Sequence, residues 1–187
     1  MMDNKQAQII RSAQRLFLKH GYLKVSMSDI AEELEISRPT LYKSFANKEA
    51  VLDGLLTLHV EECRAEVQLR LPKARTFPKK LQTIFDIWVI EPFAMAIGNE
   101  NGRDLMLNGS TYYPLVFERT YQLIQDELQS VIEGEVDSKS LIPVRDLSQL
   151  LSLSVKGLKA SAQTEEDLRR LVKGLIVMTT AVIEKRG

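Results

Sequence analysis

The sequence predicts an all-α protein: an N-terminal three-helix domain with a helix-turn-helix, joined to a larger helical bundle. Apolar residues recur three and four positions apart along almost the whole chain, and no alternating run demands a strand. Residues 26–45, SMSDIAEELEISRPTLYKSF, add a more specific signal: two short capped helices around a tight turn.

Taken in order, Ile9, Ala13, Leu16, Phe17 and His20 fall on one stripe of a first helix, and Gly21 is a natural left-handed stop. Ser26 precedes the second helix with Asp29 three residues on, a capping box that places a carboxylate where the helix dipole favours it. Ile30, Ala31 and Leu34 share its inner face. The turn at 35–37 ends on Ser37, an N-cap for the third helix, and Pro39 sits in the first turn, where its missing N–H costs little. Leu41 and Phe45 point inward, which leaves Arg38, Thr40, Tyr42, Lys43 and Ser44 for other contacts. Asn47 caps a long helix that carries Leu52, Leu56, His59, Cys63 and Val67 to about Leu71, where Pro72 stops it.

Beyond the break at 72–78, helical spacing resumes at Leu81, Ile84, Phe85 and Trp88 and ends near Pro92 or continues kinked to about Ile97. Residues 98–102 read as a polar loop, and 103–107 as a short apolar piece closing at Asn108 and Gly109. Ser110 or Thr111 then caps a helix with Pro114 in its first turn and Phe117, Tyr121, Ile124 and Leu128 along it. After a loop at 134–143 come two last helices, 146–162 and 165–185, the second capped by Thr164 with Asp167 three residues on.

Composition narrows the function classes. A 44% hydrophobic and 27% charged chain with zero formal net charge has ample core and a solvated surface, unlike a disordered tail. Residues 1–50 hold eight Lys/Arg against six Asp/Glu, so any field for nucleic acid is a local patch. The single cysteine, Cys63, excludes an internal disulfide and fits a reducing cytoplasm. No apolar run reaches membrane-spanning length and the start is unlike a signal peptide, so no membrane partner is expected.

The order AxxLFxxxGYxxxSMxDIAxxxxISRPTLYxxFxxKEAxL, anchored by Phe17, Gly21, Ile30, Ala31, Leu41, Tyr42, Phe45 and Lys48, resembles the N-terminal domain of the TetR family of bacterial transcriptional regulators. The resemblance covers about the first 55 residues. It implies a DNA-binding domain at 1–48 and a ligand-binding and dimerisation domain at 49–187. The second helix of such a motif enters the major groove with its N-terminal residues at base edges. Arg38 has the geometry to donate twice to a guanine, Thr40 to bond a base edge or pack on a thymine methyl, and Ser37 and Pro39 border the same entry. By resemblance Tyr42 and Lys48 hold phosphates. Lys43 suits either task, and Ser28 offers only a short hydroxyl at a backbone-facing position.

No catalytic set emerges. The two histidines, His20 and His59, lie on apolar stripes, the usual place of a satisfied core histidine, and His59 with Cys63 lacks the further ligands of a zinc site. There is no glycine-rich phosphate loop and no nucleophile elbow, so neither an enzyme, a cofactor nor a metal is expected. Central aromatic and soft side chains suggest instead an effector site lined by His59, Cys63, Phe85, Trp88, Met106, Tyr113 and Phe117. The ordinary reading of most of them is core. Leu147, Leu151, Ser154 and Leu158 on one terminal helix, with Leu168, Leu171, Leu175 and Met178 on the other, form a candidate two-fold interface. The expectation is a homodimeric regulator on palindromic double-stranded DNA, a repressor released by a small, mainly apolar or aromatic effector. The alternative is a regulator of the same fold answering to a protein partner, or to no effector.

Overall fold

The structure is a computed structural model that describes residues 4–112, 114–136 and 142–184. Among these residues every regular element is a helix, with no strand. The elements are α1 (Asn4–His20), α2 (Met27–Glu33), α3 (Arg38–Ser44), α4 (Lys48–Arg70), a 3-10 turn (Leu71–Lys73), α5 (Phe77–Phe85), a π turn (Asp86–Ile90), α6 (Glu91–Ile97), α7 (Glu100–Tyr112), α8 (Pro114–Glu133), α9 (Val144–Ser161) and α10 (Glu165–Glu184). They form two compact units. One gathers residues up to 62 with 96–116, the other 63–95 with the residues from 117 on. The α4 helix contributes residues to both.

In the first unit, Ile9, Ile10, Ala13 and Phe17 of α1 pack with Ile30, Ala31, Leu41 and Phe45, and with Val51 and Leu52 of α4. Gly21, at φ +87°, ends α1 in the left-handed region that favours glycine, and its N–H closes on the Phe17 carbonyl at 2.9 Å. A residue distant in sequence completes that end: the Asn101 amide of α7 donates to the Leu18 and Lys19 carbonyls at 3.1 Å each. The last carbonyls of α1 have no partner within their own helix, so a side chain from α7 supplies one. Gly102, beside it, admits the close approach. A Cβ there would meet the Ala96 carbonyl oxygen at 2.9 Å and a Leu18 methyl at 3.0 Å.

The second unit buries Leu81, Ile84, Phe85 and Trp88 with Ile124, Leu128, Leu151, Val155, Leu168 and Val172. The segment around Pro92 runs on as helix, because the π turn absorbs the proline's missing N–H: the Glu91 N–H bonds back to the Asp86 carbonyl. Two expected breaks move. The loop expected at 98–102 shrinks, since the Asn99 side chain accepts from the Asn101 and Gly102 N–H groups and starts α7 at Glu100. The break expected at Asn108 and Gly109 is absent. Thus α7 continues to Tyr112, and Ser110 and Thr111 lie inside it instead of capping the next helix. His20 is exposed, not a core histidine, because α1 is in its last turn there.

Among the described residues no helix is long and apolar enough to cross a membrane.

Candidate nucleic-acid interface

The helix-turn-helix assembles from local hydrogen bonds that its sequence specifies. The Asp29 N–H donates to Ser26 Oγ at 3.2 Å while the Ser26 N–H donates to Asp29 Oδ2 at 2.7 Å, a reciprocal capping box. Those bonds from the Ser26 backbone and hydroxyl hold the Asp29 carboxyl below its ordinary value, so it stays ionised at the positive end of α2. After α2, Glu35 adopts φ +53° and the Ile36 N–H reaches back to the Ala31 carbonyl at 3.0 Å, which reverses the chain. A non-glycine residue in this region carries strain of roughly 1–2 kcal/mol. Nothing in the sequence at Glu35 marks it.

Ser37 then caps α3, accepting from the Thr40 N–H at 3.3 Å, with its Oγ 2.8 Å from the Thr40 hydroxyl. Pro39 occupies the first turn, and Leu41 is fully buried beneath it. This anchoring decides what faces outward. Arg38, Pro39, Tyr42 and Lys43 are exposed, with Tyr42 at 51%, although a tyrosine ring ordinarily buries much of its area. Positions 38 and 42, and 39 and 43, are each one turn apart, so the four form one face. No hydrogen bond or ion pair within the chain occupies the Arg38 guanidinium, the Tyr42 hydroxyl or the Lys43 ammonium among the described residues. Thr40 is half-buried and shares its hydroxyl with Ser37.

Lys48, expected at a phosphate, is engaged within its own chain in this structure. Its ammonium donates to the carbonyls of Tyr22 at 2.9 Å, Val25 at 2.8 Å and Leu23 at 3.5 Å, and lies 4.4 Å from the centroid of the Tyr22 ring. Desolvation lowers its pKa. All three N–H directions are spent on this chain's own turn between α1 and α2. The lysine fastens the start of α4 to that turn, a task that spacing alone does not reveal.

The expected effector residues are divided by the fold. His59 and Met106 belong to the first unit and are half-buried; Cys63, Phe85, Trp88 and Phe117 belong to the second. Tyr113 lies outside the described residues. Phe85 and Trp88 are core side chains, and the Cys63 thiol donates to the Ile87 carbonyl at 3.7 Å. The Trp88 Nε1–H is buried with no acceptor. An open hollow of about 430 Å³ lies elsewhere in this unit, lined by Arg70, Lys73, Ala74, Arg75, Thr76, Lys79 and Thr83, none of them an expected effector residue.

The expected interface residues also separate. Leu147, Leu151 and Leu168 are buried within the chain, at 4%, 1% and 0% exposure, so they are core and not interface. Ser154, Leu158, Leu171 and Leu175 are half-buried, and Met178 is exposed. The large apolar residues that α9 and α10 turn outward are Leu150, Leu153, Val177 and Met178, of which only Met178 belongs to the expected stripe.

The profile of bacterial regulatory proteins of the tetR family matches residues 9–55, the segment that folds as α1–α3 and the start of α4. That match assigns residues 9–55 to the N-terminal domain of the family. The HTH-type transcriptional regulator EthR of Mycolicibacterium smegmatis is 43% identical over 54 residues, 29% of this chain and 25% of that protein. The HTH-type transcriptional activator FasR of the same organism is 25% identical over 119 residues, 64% of this chain and 48% of that protein. The chain thus spans a quarter to about half the length of these curated relatives. In overall fold it is similar to a TetR transcription regulator from Haloarcula marismortui, with a TM-score of 0.74 at 16% identity, covering 97% of this chain and 99% of that one.

Proposed function

We propose that this protein is a cytoplasmic, homodimeric, sequence-specific DNA-binding repressor, released from a palindromic operator by a small, mainly apolar or aromatic effector. The observation that carries the DNA reading is the outward face of α3. A guanidinium, a phenol and an ammonium stand exposed and unpaired on a helix fixed from beneath. In the major groove Arg38 reads a base edge, and Thr40 reads beside it once its hydroxyl turns from Ser37. Tyr42 and Lys43 hold phosphates. Selection from a pool of random duplexes tests this reading: the protein should enrich a near-palindrome whose half-site centres lie about one helical turn apart or somewhat more.

A symmetric operator calls for a symmetric protein, and α9 with α10 offers the surface. Leu150, Leu153 and Gly157 on α9 and Gly174, Val177 and Met178 on α10 form an outward apolar and small-residue face, and a Cβ at Gly157 or Gly174 would meet nothing within 4 Å in the chain. Glycine inside an exposed helix costs about 1 kcal/mol relative to alanine. Nothing in the chain's own packing accounts for it, and the close approach of a partner helix does. Gly157→Leu should therefore leave the thermal melt of the fold intact or raise it, while weakening the dimer at least tenfold in sedimentation equilibrium. A dimer as tight as the wild type would place the interface elsewhere.

Release follows from a two-state shift: the effector favours a form in which α4 holds the two reading heads at the wrong separation. A tenfold loss of DNA affinity requires about 1.4 kcal/mol of differential binding. The packed Phe85 and Trp88 by themselves suit the alternative of a regulator answering to a protein partner or to no effector. The unpartnered indole N–H weighs the other way, because a finished core leaves few such groups.

A further inference from the structure

The corner between α4 and α5 gathers positive charge on a concave surface. Residues 70–80 read RLPKARTFPKK, with Arg70, Lys73, Arg75, Lys79 and Lys80 and no Asp or Glu, in a chain whose 25 basic and 25 acidic residues balance overall. Two of these cations are answered within the chain: Arg70 pairs with Glu91 at 2.7 Å, and Lys80 pairs with Glu135. The other three are not. Lys73, Arg75 and Lys79 are exposed, and among the described residues no carboxylate comes within ion-pair distance of any of them. All three line the open hollow of about 430 Å³.

The hollow has local causes, since its whole lining comes from residues 70–83 of the second unit. Pro72 cannot continue α4, and the Ala74 N–H closes a 3-10 turn on the Leu71 carbonyl at 3.0 Å, which swings the chain into α5. Thr76 precedes α5, but its hydroxyl makes no capping bond and lines the hollow instead. A basic surface without a partner ordinarily spreads its charges through water. Here three unpaired cations share one concavity, where they repel one another and the free chain gains nothing. An anion with more than one charge turns that repulsion into attraction.

We propose that this hollow binds a small organic phosphate carrying two or more negative charges, its phosphoryl oxygens held by Lys73, Arg75 and Lys79. The guanidinium offers forked donors to such oxygens and the two ammonium groups act as point charges. Ala74 and the aliphatic stems of the cations give the organic body an apolar wall. The volume lies in the range of small-molecule sites, about 300–1,000 Å³, and the concave shape suits such a ligand better than a flat membrane or the outside of a duplex. No expected effector residue takes part, so this site is independent of the apolar effector proposed above.

The test is titration calorimetry on the full chain, with ADP and pyrophosphate as probes and adenosine as the uncharged counterpart. Both diphosphates should bind at least tenfold more tightly than adenosine, and added salt should weaken them. The triple variant Lys73→Gln/Arg75→Gln/Lys79→Gln should lose tenfold or more of that affinity. Its melting temperature without ligand should stay level or rise, because the charges removed are exposed and mutually repulsive. Lys156→Gln, which removes an exposed lysine outside the hollow, should bind both probes as the wild type does. Binding of neither diphosphate, or equal affinity in the triple variant, would overturn the inference. Vesicles containing phosphatidylglycerol and a duplex without an operator distinguish the larger occupants. If the triple substitution weakened binding to either of these while neither diphosphate bound, the patch would be a membrane or nucleic-acid surface and the inference refuted.

Discussion

Leu151→Asp should unfold the second unit, whereas Leu150→Asp, one residue away on α9, should leave it folded and monomeric. Leu151 is 1% exposed among Ile124, Leu128, Val155, Leu168 and Val172, while Leu150 is 55% exposed. Removing a core leucine costs about 2–5 kcal/mol, and a carboxylate in its place adds the desolvation of an unpaired charge. That sum approaches the whole stability of a domain, about 5–15 kcal/mol. At Leu150 the carboxylate remains hydrated in the monomer and is penalised only when a second α9 is pressed against it. Circular dichroism melts of the two variants, with gel filtration of Leu150→Asp, should show the contrast. Equal melting temperatures would mean that the buried face of α9 is misassigned.

Lys48→Met should destabilise the first unit by about 2–3 kcal/mol. The substitution removes two close charge-assisted hydrogen bonds, each worth about 1.5–3 kcal/mol when well shielded, and the contact with the Tyr22 ring. The total falls below the sum of these because the ammonium is only partly shielded from water. Tyr22 packs edge-on against Phe17 at 5.0 Å, so loosening the turn reaches the core of α1. Urea denaturation should register the loss. If stability were unchanged and the salt dependence of DNA binding fell by about one phosphate contact, the lysine would be holding DNA instead of its own turn.

The contrast between these positions shows which parts of the protein are legible in its sequence. The caps at Ser26, Ser37, Asn47 and Thr164 form as their spacing predicts, because each is a bond between residues three apart. Gly21 is legible for the same local reason. What depends on distant residues is not. Lys48 meets carbonyls more than twenty positions earlier, and Asn101 finishes a helix more than eighty positions away. An amphipathic pattern locates the apolar stripes of α9 and α10 but does not say which stripe faces the chain's own core. The stripe richer in leucine turned inward, and the one carrying Gly157 and Gly174 was left outside.

The central claim is that α3 reads DNA through Arg38, and the most direct measurement is duplex selection on the wild-type protein and on Arg38→Ala, followed by affinities on the enriched site at fixed salt. The wild type should enrich two inverted half-sites. Arg38→Ala should bind that site more weakly by about 1–3 kcal/mol and lose its preference at one base pair in each half-site, the rest of the motif unchanged. An Arg38→Ala variant that enriches the same motif with the same preference at every position would contradict the account, because the exposed face of α3 would then not be the reader.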